Sequence, residues 1–204
     1  MKRILISQRR DMVANRNETR DCLDVRWAKI LFDLNLLPIL VCSELAEETG
    51  YIEQLQPDGI LLTGGNDLGS APKRDELERQ LLEYAIDNNL PVLGVCRGMQ
   101  FINSYLGGGL SLVEGHVATY SKLQGEWSQK NGFIEVNSFH NEAIIEETIA
   151  EQLIPLAISS DGVIKAATHN HLPWLGIMWH PERENVLTKA DKQLIATHFN
   201  KSKS

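Results

Sequence analysis

Short unbroken runs of apolar residues, separated by stretches of helical periodicity, constrain this chain more than any other feature. Ile4-Leu5-Ile6, Ile60-Leu61-Leu62 and Pro91 to Val95 show no polar alternation. Such runs suit strands buried on both faces, as in a mostly parallel sheet covered by helices. The full set of expected strands is Arg3 to Ile6, Leu37 to Val41, Gly59 to Thr63, Pro91 to Val95, Phe133 to Val136, Val163 to Ala167 and Trp174 to Trp179. Between them Leu23, Trp27, Ile30, Leu31 and Leu34 recur at helical spacing, and Arg74 to Asp87 reads as a charged amphipathic helix with Leu77, Leu81 and Leu82 turned inward. The β-α-β-α-β-α-β order predicts an α/β, doubly wound, flavodoxin-like core, with its site at the carboxyl ends of the strands.

A chain of 204 residues, 43% of them hydrophobic, can bury one full core, so a single domain over 1–204 is expected. No repeat, low-complexity segment or linker interrupts it, and Asn200 to Ser204 read as a frayed end. The net charge of −7 argues against nucleic acid or an anionic membrane as partner and favours small molecules. Polar Ser7-Gln8-Arg9-Arg10 cuts off the first apolar run, so no signal peptide is expected, and no run approaches membrane-spanning length. Cys22, Cys42 and Cys96 form no metal-type pair. That pattern fits a reducing compartment, and a cytoplasmic location is expected.

One of those cysteines is placed for chemistry. Gly94-Val95-Cys96-Arg97-Gly98-Met99-Gln100 joins the Pro91–Val95 strand to a helix expected from Arg97 to Leu106, which Gly107-Gly108-Gly109 stops. Small residues around a central nucleophile are the mark of a tight strand-to-helix elbow, which holds the side chain out at the top of a sheet. The following helix would point its amides at the sulfur and favour the nucleophilic thiolate. The competing reading is a cysteine that merely fills a core gap.

A nucleophile needs a base. His180 ends the apolar run Trp174 to Trp179 and is followed by Pro181-Glu182. In an extended segment His180 and Glu182 share a face, and a carboxylate beside the ring would orient it and stabilise the imidazolium. His140 reads as pocket lining, while His169 and His171 read as a polar loop and receive no role, His116 and His198 being weaker still. An oxyanion hole would take one amide from Arg97 and a second from Thr63-Gly64-Gly65-Asn66-Asp67.

Together GVCRGMQ, TGGND, VNSFHNEAI (136–144), DGVIKAA (161–167) and GIMWHPE (176–182) resemble the class I glutamine amidotransferase superfamily, in its γ-glutamyl hydrolase branch, peptidase family C26. The matches run in order over nearly the whole chain. The resemblance implies Cys96 as nucleophile, His180 as base, Glu182 as its orienting acid, and the Gly65 and Arg97 amides as oxyanion hole. It implies that Asn66, Gln100, Ser138, Phe139 and His140 bind a glutamyl substrate, with no metal or other cofactor. The implied reaction is hydrolysis of a γ-glutamyl amide through a glutamyl thioester. The alternatives are a glutaminase subunit that passes ammonia to a separate synthase partner and a noncatalytic ligand-binding protein; a homodimer is a further option.

The chain also departs from that branch. Only Leu68 to Lys73 separate Asp67 from Arg74-Asp75, where relatives carry a longer insertion, so a more open rim is expected. His140-Asn141-Glu142 stands where two histidines and a glutamine are usual, and Lys165 replaces an acid. These changes point to an unusual leaving group, one that carries phosphate included, with Arg9, Arg10 or Arg183 as counter-charges. In its shortness the chain is similar to the type of member that acts in bacterial capsule phosphoramidate synthesis, and that reaction is the specific expectation.

Overall fold

The computed structural model describes residues 1–200; Lys201 to Ser204, most of the expected frayed end, lie outside the described residues. In chain order the elements are β1 (Lys2–Ile6), β2 (Arg9–Val13), β3 (Glu18–Cys22), α1 (Val25–Asp33), β4 (Leu36–Leu40), α2 (Tyr51–Leu55), β5 (Gly59–Leu62), α3 (Pro72–Asp87), β6 (Val92–Val95) and α4 (Arg97–Tyr105). They continue with β7 (Ser111–Leu112), β8 (Val117–Gln124), α5 (Glu126–Asn131), β9 (Glu135–Phe139), β10 (Glu142–Ala143), β11 (Leu153–Ser159), β12 (Ile164–His169), β13 (Trp174–Ile177) and α6 (Lys189–Asn200).

A nine-stranded mixed sheet forms the centre, in the order β4-β1-β5-β6-β13-β12-β11-β8-β9. The five strands from β4 to β13 are parallel, and the remaining four continue it antiparallel. Sequence dictates the division. β5 and β6 are buried at every position, as a strand covered on both faces must be, whereas β8 alternates exposed and covered residues from Tyr120 to Gln124. One core lies on the α3–α4 side and includes Leu5, Leu62, Leu81, Met99 and Ile102. The other includes Ile4, Trp27, Leu93, Trp179 and Phe199.

Two expected strands move. The segment expected at Phe133 to Val136 becomes a strand only from Glu135 to Phe139, because Phe133 packs its ring flat on Trp127 of α5, centroids 5.5 Å apart, and serves the helix–sheet contact. The last strand ends at Ile177, before Trp179, whose indole N–H turns to donate to Asp191 at 2.9 Å. Among the described residues no helix is long and apolar enough to cross a membrane.

Candidate active site

The carboxyl ends of β5, β6 and β13 converge on Cys96. The Cys96 amide donates to the Ile177 carbonyl at 2.7 Å, which ties the end of β6 to β13, and the chain then turns at once into α4. Cys96 takes φ 51° and ψ −107°, an uncommon conformation for a residue with a side chain. The elbow closes because a methyl group at Gly98 would overlap the Leu62 carbonyl oxygen, and one at Gly94 would lie 2.7 Å from the Gly98 carbonyl. Neither site can take a larger residue without pushing α4 off the sheet. The thiol is not held out in solvent as expected: Cys96 is only 6% exposed, packed beside Val95, Trp179 and the base.

His180 and Glu182 come together by a different route from the extended one expected. Pro181–Arg183 form a short 3-10 turn, and within it Glu182 Oε1 sits 2.7 Å from His180 Nδ1. Both side chains are buried. Burial opposes charge on the His180 ring, but its interactions with the Cys96 sulfur and the Glu182 carboxylate outweigh this and raise its pKa to about 9. His180 therefore carries a proton near neutrality. His180 Nε2 has no hydrogen-bond partner of ordinary geometry. Its attraction to the sulfur is one of proximity, across a gap kept narrow by Gly64, where a methyl group would lie 2.8 Å from His180 Cε1 and 3.7 Å from Cys96 Cβ.

Asn137, which the sequence presented only as part of a motif, clamps the His180 backbone. Its side-chain oxygen accepts from the His180 amide at 2.8 Å, and its Nδ2 donates to the His180 carbonyl at 2.9 Å and to Glu184 at 2.6 Å. Glu184, the nearest rival to Glu182, is thus engaged by Asn137. Phe139 meets the His180 ring edge-on, centroids 5.8 Å apart, and the Arg183 guanidinium lies 4.4 Å from the centre of the Phe139 ring.

The loop after β5 is braced from below. Arg74 donates to the carbonyls of Thr63 (2.6 Å) and Gly65 and to the Asn66 side chain (3.2 Å). Carbonyls drawn towards α3 leave the opposite face of these peptides for amides, and Gly65 has φ +83°. Arg74 is held by Glu78, which also pairs with Arg97, while Arg97 reaches Asp75. The Arg97 side chain is therefore structural, and its amide opens α4 directly after Cys96. The Asn66 amide group is taken up by the Arg10 backbone on both sides, 2.8 and 3.0 Å, and so anchors the β2–β3 hairpin.

Gln100 lies one turn into α4, its Nε2 donating to the Glu142 carbonyl at 2.7 Å. The hydroxyl of Ser138 and the ring of His140 face Lys165, at 2.8 and 2.9 Å. A cavity of about 320 Å³ opens beside the base, lined among others by Arg9, Asp11, Gly64, Gly65, His180 and Arg183. Arg10 is not in it, being turned to Ser43 and Glu44. Among the described residues no group of three or more His, Cys, Asp or Glu side chains is arranged to hold a metal ion.

A cysteine on a strained elbow beside a buried His–Glu pair is the arrangement of a thiol hydrolase, and comparison with known proteins narrows the class. The sequence profile of peptidase C26 matches residues 4–182. The chain belongs to the peptidase C26 family. Gamma-glutamyl-CDP-amidate hydrolase of Campylobacter jejuni subsp. jejuni serotype O:2 is 36% identical over 84% of this chain and 85% of its own. Gamma-glutamyl-gamma-aminobutyrate hydrolase of Escherichia coli O157:H7 is 28% identical over 78% of both chains. In fold this C26 member is similar to a glutamine amidotransferase from Thermotoga maritima, with a TM-score of 0.65 at 16% identity over 89% of this chain and 76% of the other. The C26 chain is thus a glutamine amidotransferase-type hydrolase.

Proposed function

We propose that this enzyme hydrolyses a γ-glutamyl amide, with Cys96 as nucleophile, His180 as acid and base, and Glu182 as the acid that orients the ring. The observation that carries the reading is the buried His180–Glu182 pair, 2.7 Å apart, set against the Cys96 elbow. The Cys96 thiolate attacks the γ-carbonyl carbon and forms a C–S bond, and the resulting oxyanion is met by the Gly65 and Arg97 amides. As the C–N bond breaks, the His180 imidazolium gives its proton to the departing nitrogen. Water then attacks the thioester, His180 takes its proton, and the C–S bond breaks to release glutamate and regenerate the thiolate. Gln100, Phe139 and the backbone of the Ser138–His140 segment hold the glutamyl end.

The leaving group departs on the His180 side, into the cavity flanked by Arg9 and Arg183. Two guanidinium groups suit a phosphate-bearing leaving group. The similarity to the Campylobacter enzyme supports γ-glutamyl-CDP-amidate, or a related γ-glutamyl phosphoramidate, as substrate, in capsule polysaccharide modification. A screen of γ-glutamyl amides with the purified protein, read by glutamate release, tests the reading. Release from a phosphoramidate, together with a trapped acyl group on Cys96 by mass spectrometry, is the expected result. No release from any γ-glutamyl compound would overturn it.

A further inference from the structure

Lys165 is fully buried on β12, yet among the described residues its ammonium touches no carboxylate. Its nitrogen lies 2.8 Å from Ser138 Oγ, 2.9 Å from His140 Nε2 and 3.1 Å from His116 Nδ1. An ammonium has three protons, and these three neutral acceptors take all of them. The ring tautomers follow. His116, accepting at Nδ1, donates from Nε2 to Asp161 at 2.7 Å. His140 accepts at Nε2 and stacks on His116, centroids 5.0 Å apart. Burial first, and then the charge of Lys165, push His140 down to about 3, so that ring stays neutral. The acid Asp161 reaches the ammonium only through His116. A buried cation with so remote a counter-ion is costly, and a second negative charge would offset it.

The cluster is wired to the catalytic groups along β9. Asn137 binds the His180 backbone, Ser138 binds Lys165, Phe139 meets the His180 ring, and His140 returns to Lys165. The sheet makes the same connection. The Lys165 carbonyl accepts from the Met178 amide at 2.8 Å, while Cys96 donates to the adjoining Ile177 carbonyl at 2.7 Å. Lys165 and Cys96 therefore flank the end of β13 from either side.

We infer that Lys165 is a buried counter-charge for the Cys96 sulfur, a positioning residue whose ammonium favours the ionised thiol before substrate arrives. The inference rests on Cys96 being the nucleophile. It accords with the balance at Lys165 itself, which burial lowers to about 8 while Asp161 and Cys96 hold it up. The other ionisable groups around the pair are His180 and Glu182 beside the sulfur and His116, His140 and Asp161 beside the ammonium. Arg97, next to the cysteine in sequence, is spent on Asp75 and Glu78.

The test needs no substrate. In a Cys22→Ser/Cys42→Ser background, the rate of Cys96 alkylation by iodoacetamide is followed against pH by mass spectrometry. Lys165→Met removes the charge, and Lys165→Gln removes it while keeping amide donors. In both, the pH midpoint of alkylation should rise by about one unit, making the reaction about tenfold slower on the acid side. An unchanged midpoint in variants that still unfold cooperatively would overturn the inference. Should neither variant fold, lysine side-chain NMR of the wild-type protein supplies the reciprocal measurement. Capping Cys96 as the neutral carbamidomethyl adduct should lower the midpoint of the buried lysine, and an unmoved midpoint would be equally fatal. Loss of turnover in Cys96→Ala tests the nucleophile separately, so the two ideas fail on different readouts.

Discussion

Cys96 combines backbone strain with burial, and each has a measurable consequence. Because the thiol is packed and only 6% exposed, Cys96→Ala should cost about 1 kcal/mol in denaturant unfolding while abolishing turnover. Wild-type turnover in that variant would remove it as nucleophile. Glu182 orients His180 Nδ1 directly, whereas Glu184 reaches the base only through Asn137. Glu182→Gln should therefore slow kcat/KM on the order of a thousandfold or more, and Glu184→Gln by less than about tenfold; the reverse ranking would reassign the acid. The raised pKa of His180 sets a pH dependence in two ways. In the proposed mechanism its imidazolium protonates the leaving nitrogen, so activity should fall as pH rises through about 9. The same shift, from 6.5 upward, contributes stability that is fully present below pH 6.5 and lost as pH rises through about 9. Cys96→Ala removes one of the interactions that holds the proton, so its stability should decline less over that interval.

Among the elements, α3 and α4 are joined to the loop after β5 by the buried Arg74–Glu78–Arg97 network rather than by apolar packing alone. Glu78 bridges the two guanidinium groups of Arg74 and Arg97, with Asp75 as a second partner of Arg97, and it has no exposed surface. Burial opposes its charge, but those two arginines hold its carboxyl below the usual range. Glu78→Ala should cost about 3–5 kcal/mol in chemical denaturation, because it strands buried charge. A loss under about 1 kcal/mol would show that the network is dispensable. None of this could be read from the sequence, where Arg74 to Asp87 looked like an ordinary charged helix with a solvated face. The parallel strands were legible because Ile4 to Ile6, Ile60 to Leu62 and Val92 to Val95 are buried on both sides and so are apolar throughout. The β2–β3 hairpin was missed because Arg9 to Val13 and Glu18 to Cys22 are half-exposed and polar, with their order supplied by pairing and by Asn66. β11 was missed as well, its Leu153–Ser159 run broken by Pro155 and bent by a register shift. Cys96, His180 and Glu182 stood out from local pattern alone. Lys165 and His116 did not pair in that reading, since 49 residues separate them and only the sheet brings them to 3.1 Å.

At the scale of the molecule, the topology sets which groups surround Cys96 and His180. β6 and β13 are adjacent and parallel, so Cys96 and His180, the proposed nucleophile and base, emerge side by side from the same edge of the sheet. Gln100 and the Ser138 and His140 side chains turn towards Glu142 and Lys165, Arg9 and Arg183 line the cavity beside His180, and Phe139 touches both His180 and Arg183. Arg9 is partly occupied by Asp11 at 2.9 Å, whereas Arg183 leans over Phe139. Arg183 is thus the better placed of the two to meet a phosphate oxygen, and Phe139 would hold it level. Arg183→Gln should raise KM for a γ-glutamyl phosphoramidate by about tenfold, the size of a lost charge-assisted hydrogen bond of about 1.4 kcal/mol, while leaving KM for a γ-glutamyl amine within about twofold. Free glutamine, whose leaving group is ammonia, forfeits every contact in that cavity and should be a poor substrate. If instead glutamine is turned over as efficiently as the largest γ-glutamyl compound, and Arg183→Gln affects all substrates alike, the cavity does not read the leaving group. A glutaminase subunit feeding ammonia to a synthase would then describe the chain better, and adding that synthase should raise its rate.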